Sequence, residues 1–203
     1  MARVTVRPPL RPSSAPSAVH TKGTSVSAVL RFVTQNWGPE GLARLAEKVS
    51  PPEAAKLIRD SVLAGSWYPF SHFVALLDAA ETVFGGGSGT FARREGMSCA
   101  DFDLRGVYRV FVRLTSPAFL VERAGKVWRQ YYDSGELVIV ESSDHEVTFE
   151  LKAFASPHRG HCETVLGWSE RAAELSGATR VRAAHPNCRA RGERRCIFRI
   201  DWE

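Results

Sequence analysis

The feature that most constrains this chain is a change of period near residue 135. Upstream, apolar residues recur every three or four positions; downstream they alternate. A 3.6-residue period belongs to a half-buried helix and a two-residue period to a half-buried strand. Val26, Val29, Leu30 and Val33 share one helical face until Gly38. Pro39 opens a second helix with Leu42, Leu45, Ala46 and Val49 apolar. Ser50-Pro-Pro-Glu53 has the form of a capping box and predicts a short helix to about residue 64, stopped by Gly65. Trp67-Tyr-Pro-Phe70 opens a longer helix with Phe70, Phe73, Val74, Leu77, Ala80 and Phe84 in one stripe. Residues 90–115 read as helix, with Val107, Val110, Phe111 and Leu114 apolar, and Thr115-Ser-Pro-Ala118 caps another helix reaching Tyr132.

After the turn Asp133-Ser-Gly135, residues 136–141 and 146–154 read as a hairpin joined by Ser142-Ser-Asp-His145. Residues 161–176 read as a helix stopped by Gly177, and 179–185 and 196–202 as two more strands. The fold class is therefore α+β: an N-terminal helical layer packed on a C-terminal antiparallel sheet of order β-β-α-β-β. No internal repeat or linker divides the chain, which predicts a single domain over residues 23–203. Residues 1–22, rich in Pro, Ser and Arg and without periodicity, read as a flexible basic tail.

That tail holds Arg3, Arg7, Arg11 and Lys22 and no acid, so it carries +4 of the net +5. The remainder balances 23 basic against 22 acidic residues, which argues against specific nucleic-acid binding by the folded part. No apolar run of about eighteen residues occurs to span a membrane, and the N-terminus lacks the apolar core of a secretory signal; a cytoplasmic protein is expected. Gly85-Gly-Gly-Ser-Gly89 invites a phosphate-loop reading, but a helix precedes it and no Lys-Ser/Thr follows, so it reads as a helix end and linker.

Four cysteines are present: Cys99, Cys162, Cys188 and Cys196. In the stretch HPNCRARGERRCIFRIDW, His185 ends one strand, Cys188 lies in the loop and Cys196 begins the next strand. Zinc takes four tetrahedral ligands from thiolate and imidazole, and Cys162, in the first turn of the preceding helix, is a candidate fourth. His158 and His161 are near it in sequence and compete for that role. Buried free thiols and a Cys188–Cys196 disulfide are the alternatives, the second disfavoured in a reducing compartment.

The run from Cys162 through His185, Cys188, Gly192 and Cys196 to residues 198–202 resembles the end of the 4-vinyl reductase-type domain, which also serves as the aromatic-effector sensor of some transcription activators. The resemblance implies zinc held by a Cys at a helix start, a Glu, and two further Cys. Here Cys162 precedes Cys188 by twenty-six, His185 precedes Cys188 by three, and Cys196 follows Cys188 by eight, which are the spacings of that sensor group. The departure is His185 in place of Glu; imidazole is an equally good ligand, and the implied site is Cys162, His185, Cys188 and Cys196.

More widely, Thr21-Lys-Gly23, Trp67-Tyr-Pro69, Arg93-Arg-Glu-Gly96, Ser116-Pro-Ala-Phe119 and Trp128-Arg-Gln-Tyr-Tyr132 resemble an uncharacterised, myxobacterial paralogous family of about this length. That family looks related in fold to the vinyl-reductase and heme nitric-oxide-binding domains. The resemblance covers residues 22–203 and implies a small-molecule cavity between helices and sheet, with Trp67, Tyr68, Phe73, Trp128, Tyr131, Tyr132 and Trp168 as its candidate lining; the alternative is ordinary core. Heme would need a proximal histidine and a Tyr-x-Ser-x-Arg motif. The run Tyr108-Arg-Val-Phe-Val112 lacks the Ser and the spaced Arg, His72 reads as an ordinary histidine, and no heme is expected.

Arg189, Arg191, Arg194 and Arg195 would offset the negative charge of a three-thiolate site, bind phosphate, or simply face solvent. Glu122, Glu141 and Glu163 read as surface, and no catalytic constellation stands out. The sequence thus predicts a ligand-sensing or regulatory module for a small hydrophobic molecule, with a structural zinc, acting on a protein partner or a second copy of itself. A protein-interaction adaptor whose own aromatics fill the cavity is the second reading, and a reductase on a large hydrophobic substrate the third.

Overall fold

In the computed structural model, residues 18–87, 89–104 and 124–203 are described. Val107, Val110, Phe111, Leu114, the Thr115 cap, Tyr108 and Glu122 therefore lie outside the described residues.

Strand β1 (His20–Lys22), read from sequence as tail, pairs antiparallel with β2 (Trp67–Pro69), Thr21 facing Tyr68. The helix expected from Trp67 thus begins three residues later. Tyr68 precedes a proline, which disfavours helical backbone, so Trp67–Pro69 stays extended and α3 (Phe70–Ala80) starts at Phe70. Helix α1 (Gly23–Ala46) is kinked at Gly38, whose φ of 65° and ψ of −167° break the helix where the sequence places the break. Helix α2 (Pro52–Arg59) ends at Asp60, and its cap is Pro51, with no side-chain cap hydrogen bond. Ser50 lies one position too early for the expected capping box.

Helix α3 widens into a π turn over Glu81–Gly85 before the glycine-rich loop. The Glu81 carboxylate accepts from the backbone N–H of Gly89 (2.9 Å), Phe91 (3.0 Å) and Ala92 (3.4 Å), which occupies the donors at the start of α4 (Thr90–Asp103). Helix α5 (Ala124–Tyr131) follows, and Thr21 bridges to Tyr132 just beyond it.

The C-terminal half forms one antiparallel sheet of order β3-β4-β6-β5, from Glu136–Ser142, Glu146–Lys152, Cys196–Asp201 and Arg182–Asn187 respectively. Between β4 and β5 runs α6 (Arg159–Leu175). This is the expected β-β-α-β-β order. Val147, Phe149 and Leu151 of β4 and Cys196, Phe198 and Ile200 of β6 bury one sheet face, as strict alternation requires. Helix α6 packs on α4 through glycines. A Cβ on Gly96 would lie 2.1 Å from the Thr164 carbonyl, and one on Gly167 would lie 2.1 Å from that of Arg93, so the two backbones touch directly. One core runs through both layers. Among the described residues no helix is long and apolar enough to cross a membrane.

Candidate metal centre

Cys162, His185, Cys188 and Cys196 converge. Their candidate ligand atoms all lie within 4.8 Å of one another. Three elements deliver them: the first turn of α6, the end of β5 with the residue after it, and the first residue of β6. All four side chains are buried, and the three cysteines carry free thiols. His185 lies flat on Phe198, with ring centroids 4.3 Å apart and planes 2° from parallel, and its Nε2 has no hydrogen-bond partner. A buried imidazole nitrogen without a partner beside three sulfurs is the donor set of a tetrahedral thiophilic cation.

The sulfurs are not equivalent. The Cys162 thiol donates to Cys196, which pulls Cys196 down despite its burial, with His185 and the Arg189 N–H helping. The same bond and burial push Cys162 well up. The two shifts run in opposite directions because one sulfur donates and the other accepts; a thiophilic cation binding here would displace the thiol protons to solvent. The Arg189 N–H lies 3.3 Å from Cys196 Sγ, and the Cys188 N–H donates to Glu193 Oε2 at 3.0 Å.

The loop arginines hold this geometry. Arg189 Nη1 donates to the Phe154 carbonyl at 2.6 Å and Arg191 Nη2 to that of His185 at 2.6 Å. Gly192, at a φ of 90°, turns the chain back toward β6. His158 does not compete for a metal. It caps α6 by accepting from the His161 N–H at 3.4 Å, while its Nε2 meets Asp78 at 3.1 Å.

One position before Cys162, His161 enters a different environment. It is fully buried, and neither ring nitrogen has a hydrogen-bond partner. Phe70 and Tyr132 stand edge-on at 4.9 Å, Phe154 stacks at 5.2 Å, Trp128 tilts at 5.7 Å and Phe73 lies at 6.3 Å. Burial pulls the imidazole down to about 3, so it is neutral and retains a free lone pair.

The seven aromatics predicted to line a cavity divide three ways. Phe73, Trp128 and Tyr132 surround His161. Tyr131 donates to Asp103 Oδ2, and the Trp168 indole N–H reaches the same oxygen at 3.1 Å, so these two belong to a polar junction of α4, α5 and α6. Trp67 is 44% exposed, with the Lys22 ammonium 3.9 Å above its ring, and the Tyr68 hydroxyl accepts from the Leu63 N–H at 3.0 Å. His72 is half-buried on α3, Glu141 is exposed and Glu163 half-buried. Sequence reasoning missed Phe70, Phe154 and His161 as members of one cage. Phe70 stood in the helical stripe and Phe154 at a strand end, but nothing local joins them.

No protein-family model matches the chain, and no curated protein is similar enough to count as a match. Solved structures do match in shape. An H-NOX protein from S. oneidensis in the Fe(II)NO state aligns with a TM-score of 0.69 at 14% identity, covering 90% of this chain and 99% of that one. The fold is that of the H-NOX domains. A structure from work on heme distortion in the H-NOX family aligns with a TM-score of 0.66 at 11% identity, covering 90% of this chain and 95% of that one. An oxygen-binding H-NOX domain related to soluble guanylate cyclases aligns at 0.63 and 11% identity, with the same coverage.

These neighbours correct the expectation that the chain takes no heme, since they are iron and heme proteins of the same fold. None of them is described as holding zinc, so the zinc expectation gains no support from them. The no-heme expectation rested on a missing Tyr-x-Ser-x-Arg motif and on reading His72 as ordinary, and the fold match depends on neither. Here a buried histidine comes from the first turn of α6 and meets rings from α3, from the end of α5 and from beyond β4. Its unpartnered nitrogens offer the donor chemistry of an iron ligand, and the five rings already pack against it at 4.9–6.3 Å.

Proposed function

We propose that this chain is a ligand-sensing module that takes a small hydrophobic molecule in the aromatic cage around His161, with a metal clasp at Cys162, His185, Cys188 and Cys196 tying the last hairpin to α6. The observation that carries the reading is the pair of unpartnered, fully buried nitrogens of His161. Burying a polar group without a hydrogen bond costs on the order of 1–3 kcal/mol, a cost that a ligand offering a donor, an acceptor or a Lewis acid removes. The walls are aromatic, so the rest of such a ligand is apolar. The clasp is supported by four convergent soft donors and by the unpartnered Nε2 of His185.

Solved neighbours of this fold include heme proteins. In this chain His161 is the residue that would hold a heme iron, and a bound heme would supply a centre for a diatomic gas. The chain's own contribution is to keep His161 neutral and to exclude water with Phe70, Phe154 and Trp128. Titration of the full chain with hemin, followed at the Soret band, tests this. A band shift that disappears in His161→Ala and survives in His72→Ala supports iron at His161. No shift in the wild-type chain removes heme as the ligand. Displacement of an apolar fluorescent dye by small aromatic compounds, sensitive to His161→Ala, then tests the wider reading. Insensitivity to every compound favours the adaptor reading, in which the five rings around His161 fill the cage themselves.

A further inference from the structure

His161 and Cys162 are consecutive, so one turn of α6 places a cage residue and a clasp residue side by side. A second connection is independent of that turn. The Arg189 N–H lies 3.3 Å from the clasp sulfur of Cys196, and its guanidinium donates at 2.6 Å to the carbonyl of Phe154, whose ring stacks on His161 at 5.2 Å. The start of α6 is also held from α3, through His158 and Asp78 at 3.1 Å. The first turn of α6 and the loop before β6 therefore touch both sites.

We propose that clasp and cage form one coupled unit: a metal in the clasp sets the packing of the cage, and a change in the cage alters how firmly the clasp retains its metal. This rests on the metal reading of the clasp. Three cysteines that release their thiol protons to solvent and draw in with the imidazole toward one cation would pull Cys162 and the Arg189 backbone together. The pull reaches His161 through the peptide link and Phe154 through the guanidinium. Interior packing is close, so a shift of this kind is passed on rather than absorbed. Linkage makes the effect reciprocal, with couplings between sites commonly of about 5- to 150-fold in affinity. Arg189 is a positioning residue in this scheme, because it touches one clasp sulfur and one cage backbone without being a ligand.

The experiment uses the full chain stripped with a chelator and reloaded with Co(II) or Cd(II). Co(II) thiolate absorption reports the clasp, and diamagnetic Cd(II) permits the Trp128 indole N–H resonance, assigned with Trp128→Phe, to report the cage. We expect the Trp128 signal to move during Cd(II) loading and to saturate at the same stoichiometry as the Co(II) band. In Arg189→Met, which keeps the backbone N–H to Cys196, the Co(II) band should persist while the Trp128 response shrinks at least twofold. Release of Co(II) to excess chelator from His161→Phe should differ from wild type by about tenfold. A clasp that loads normally while Trp128 stays still, with release unchanged in His161→Phe, overturns the coupling and leaves the clasp intact. No thiolate–cobalt band in the wild-type chain overturns the clasp and the coupling together. The Trp128 measurement needs only the folded wild-type chain, so the test survives if His161→Phe does not fold.

Discussion

The His185 imidazole lies face to face with the Phe198 ring, 4.3 Å between centroids and 2° from parallel. Phe198 is fully buried on β6, two residues after Cys196, so the ring that orients one candidate ligand shares a strand with another. Groups that orient metal ligands without touching the metal commonly matter by about 10- to 100-fold in affinity. Phe198→Leu, which keeps the apolar volume and removes the flat face, should weaken Co(II) binding by about tenfold while leaving the one-to-one stoichiometry unchanged. Competition against a chromophoric chelator measures this. Unchanged affinity would show that the stack does not hold His185.

Ligand identity gives a second prediction. A carboxylate at position 185 still offers one donor atom, now anionic where the imidazole is neutral, so His185→Glu should retain tetrahedral Co(II) absorption, whereas His185→Ala should lose at least about tenfold in affinity. Cys162→Ser should lose more, because it removes the ligand that ties α6 to the hairpin. Metal content of each purified variant, read with the Co(II) spectrum, decides. Equal content in all three would place the metal elsewhere.

Glu95 supplies a pH dependence remote from the clasp. It is buried on α4, and burial pushes its carboxyl up to about 8, against a smaller opposing hydrogen bond from Thr164 at 3.4 Å. The folded chain therefore holds this proton more tightly than the unfolded chain does. The associated stability is fully present below the unfolded value of about 4.5 and is lost as pH rises through about 8. At about 1.4 kcal/mol per unit, the loss is at most about 5 kcal/mol. Urea denaturation at pH 5 and pH 8.5 should show wild type weakening more than Glu95→Gln. Parallel pH profiles for the two would mean that Glu95 is not the titrating group.

The α4–α6 contact predicts steric sensitivity. With a Cβ on Gly96 only 2.1 Å from the Thr164 carbonyl, Gly96→Ala must separate two helices at a backbone contact. Overpacking of this kind costs about 1–3 kcal/mol, and a rigid backbone neighbour puts the cost near the top of that range. Gly65, with open space around it, should accept alanine with little change. Thermal unfolding of both variants would reveal the contrast; a tolerant Gly96 would show that the helices can slide apart.

Much of the architecture was legible in the sequence because it is written in local period. Val26, Val29 and Val33 announce α1, and the alternation from Cys196 to Trp202 announces β6. What failed was decided by neighbours in space or by a single proline. Trp67 looks like the start of a helix until Pro69 holds Tyr68 extended and His20–Lys22 supplies a partner strand. The convergence of Cys162 with the last hairpin was readable as spacing. The cage was not: Phe70, Tyr132, Phe154 and His161 come from four places in the chain, and no period links them. Two of the loop arginines read as charge, Arg189 and Arg191, act as donors to the carbonyls of Phe154 and His185, while Arg195 pairs with Glu150.

The Glu81 carboxylate that caps α4 changes what the glycine-rich loop is able to host. Its two oxygens already sit among the amides that a nucleotide's phosphate would need, so the chain carries its own anion at that helix end. An incoming phosphate would meet a like charge in an occupied seat. The loop that most invites a phosphate-loop reading is in effect self-liganded, which leaves the proposed ligand site to be the opposite kind of place, an uncharged ring of aromatics around an imidazole.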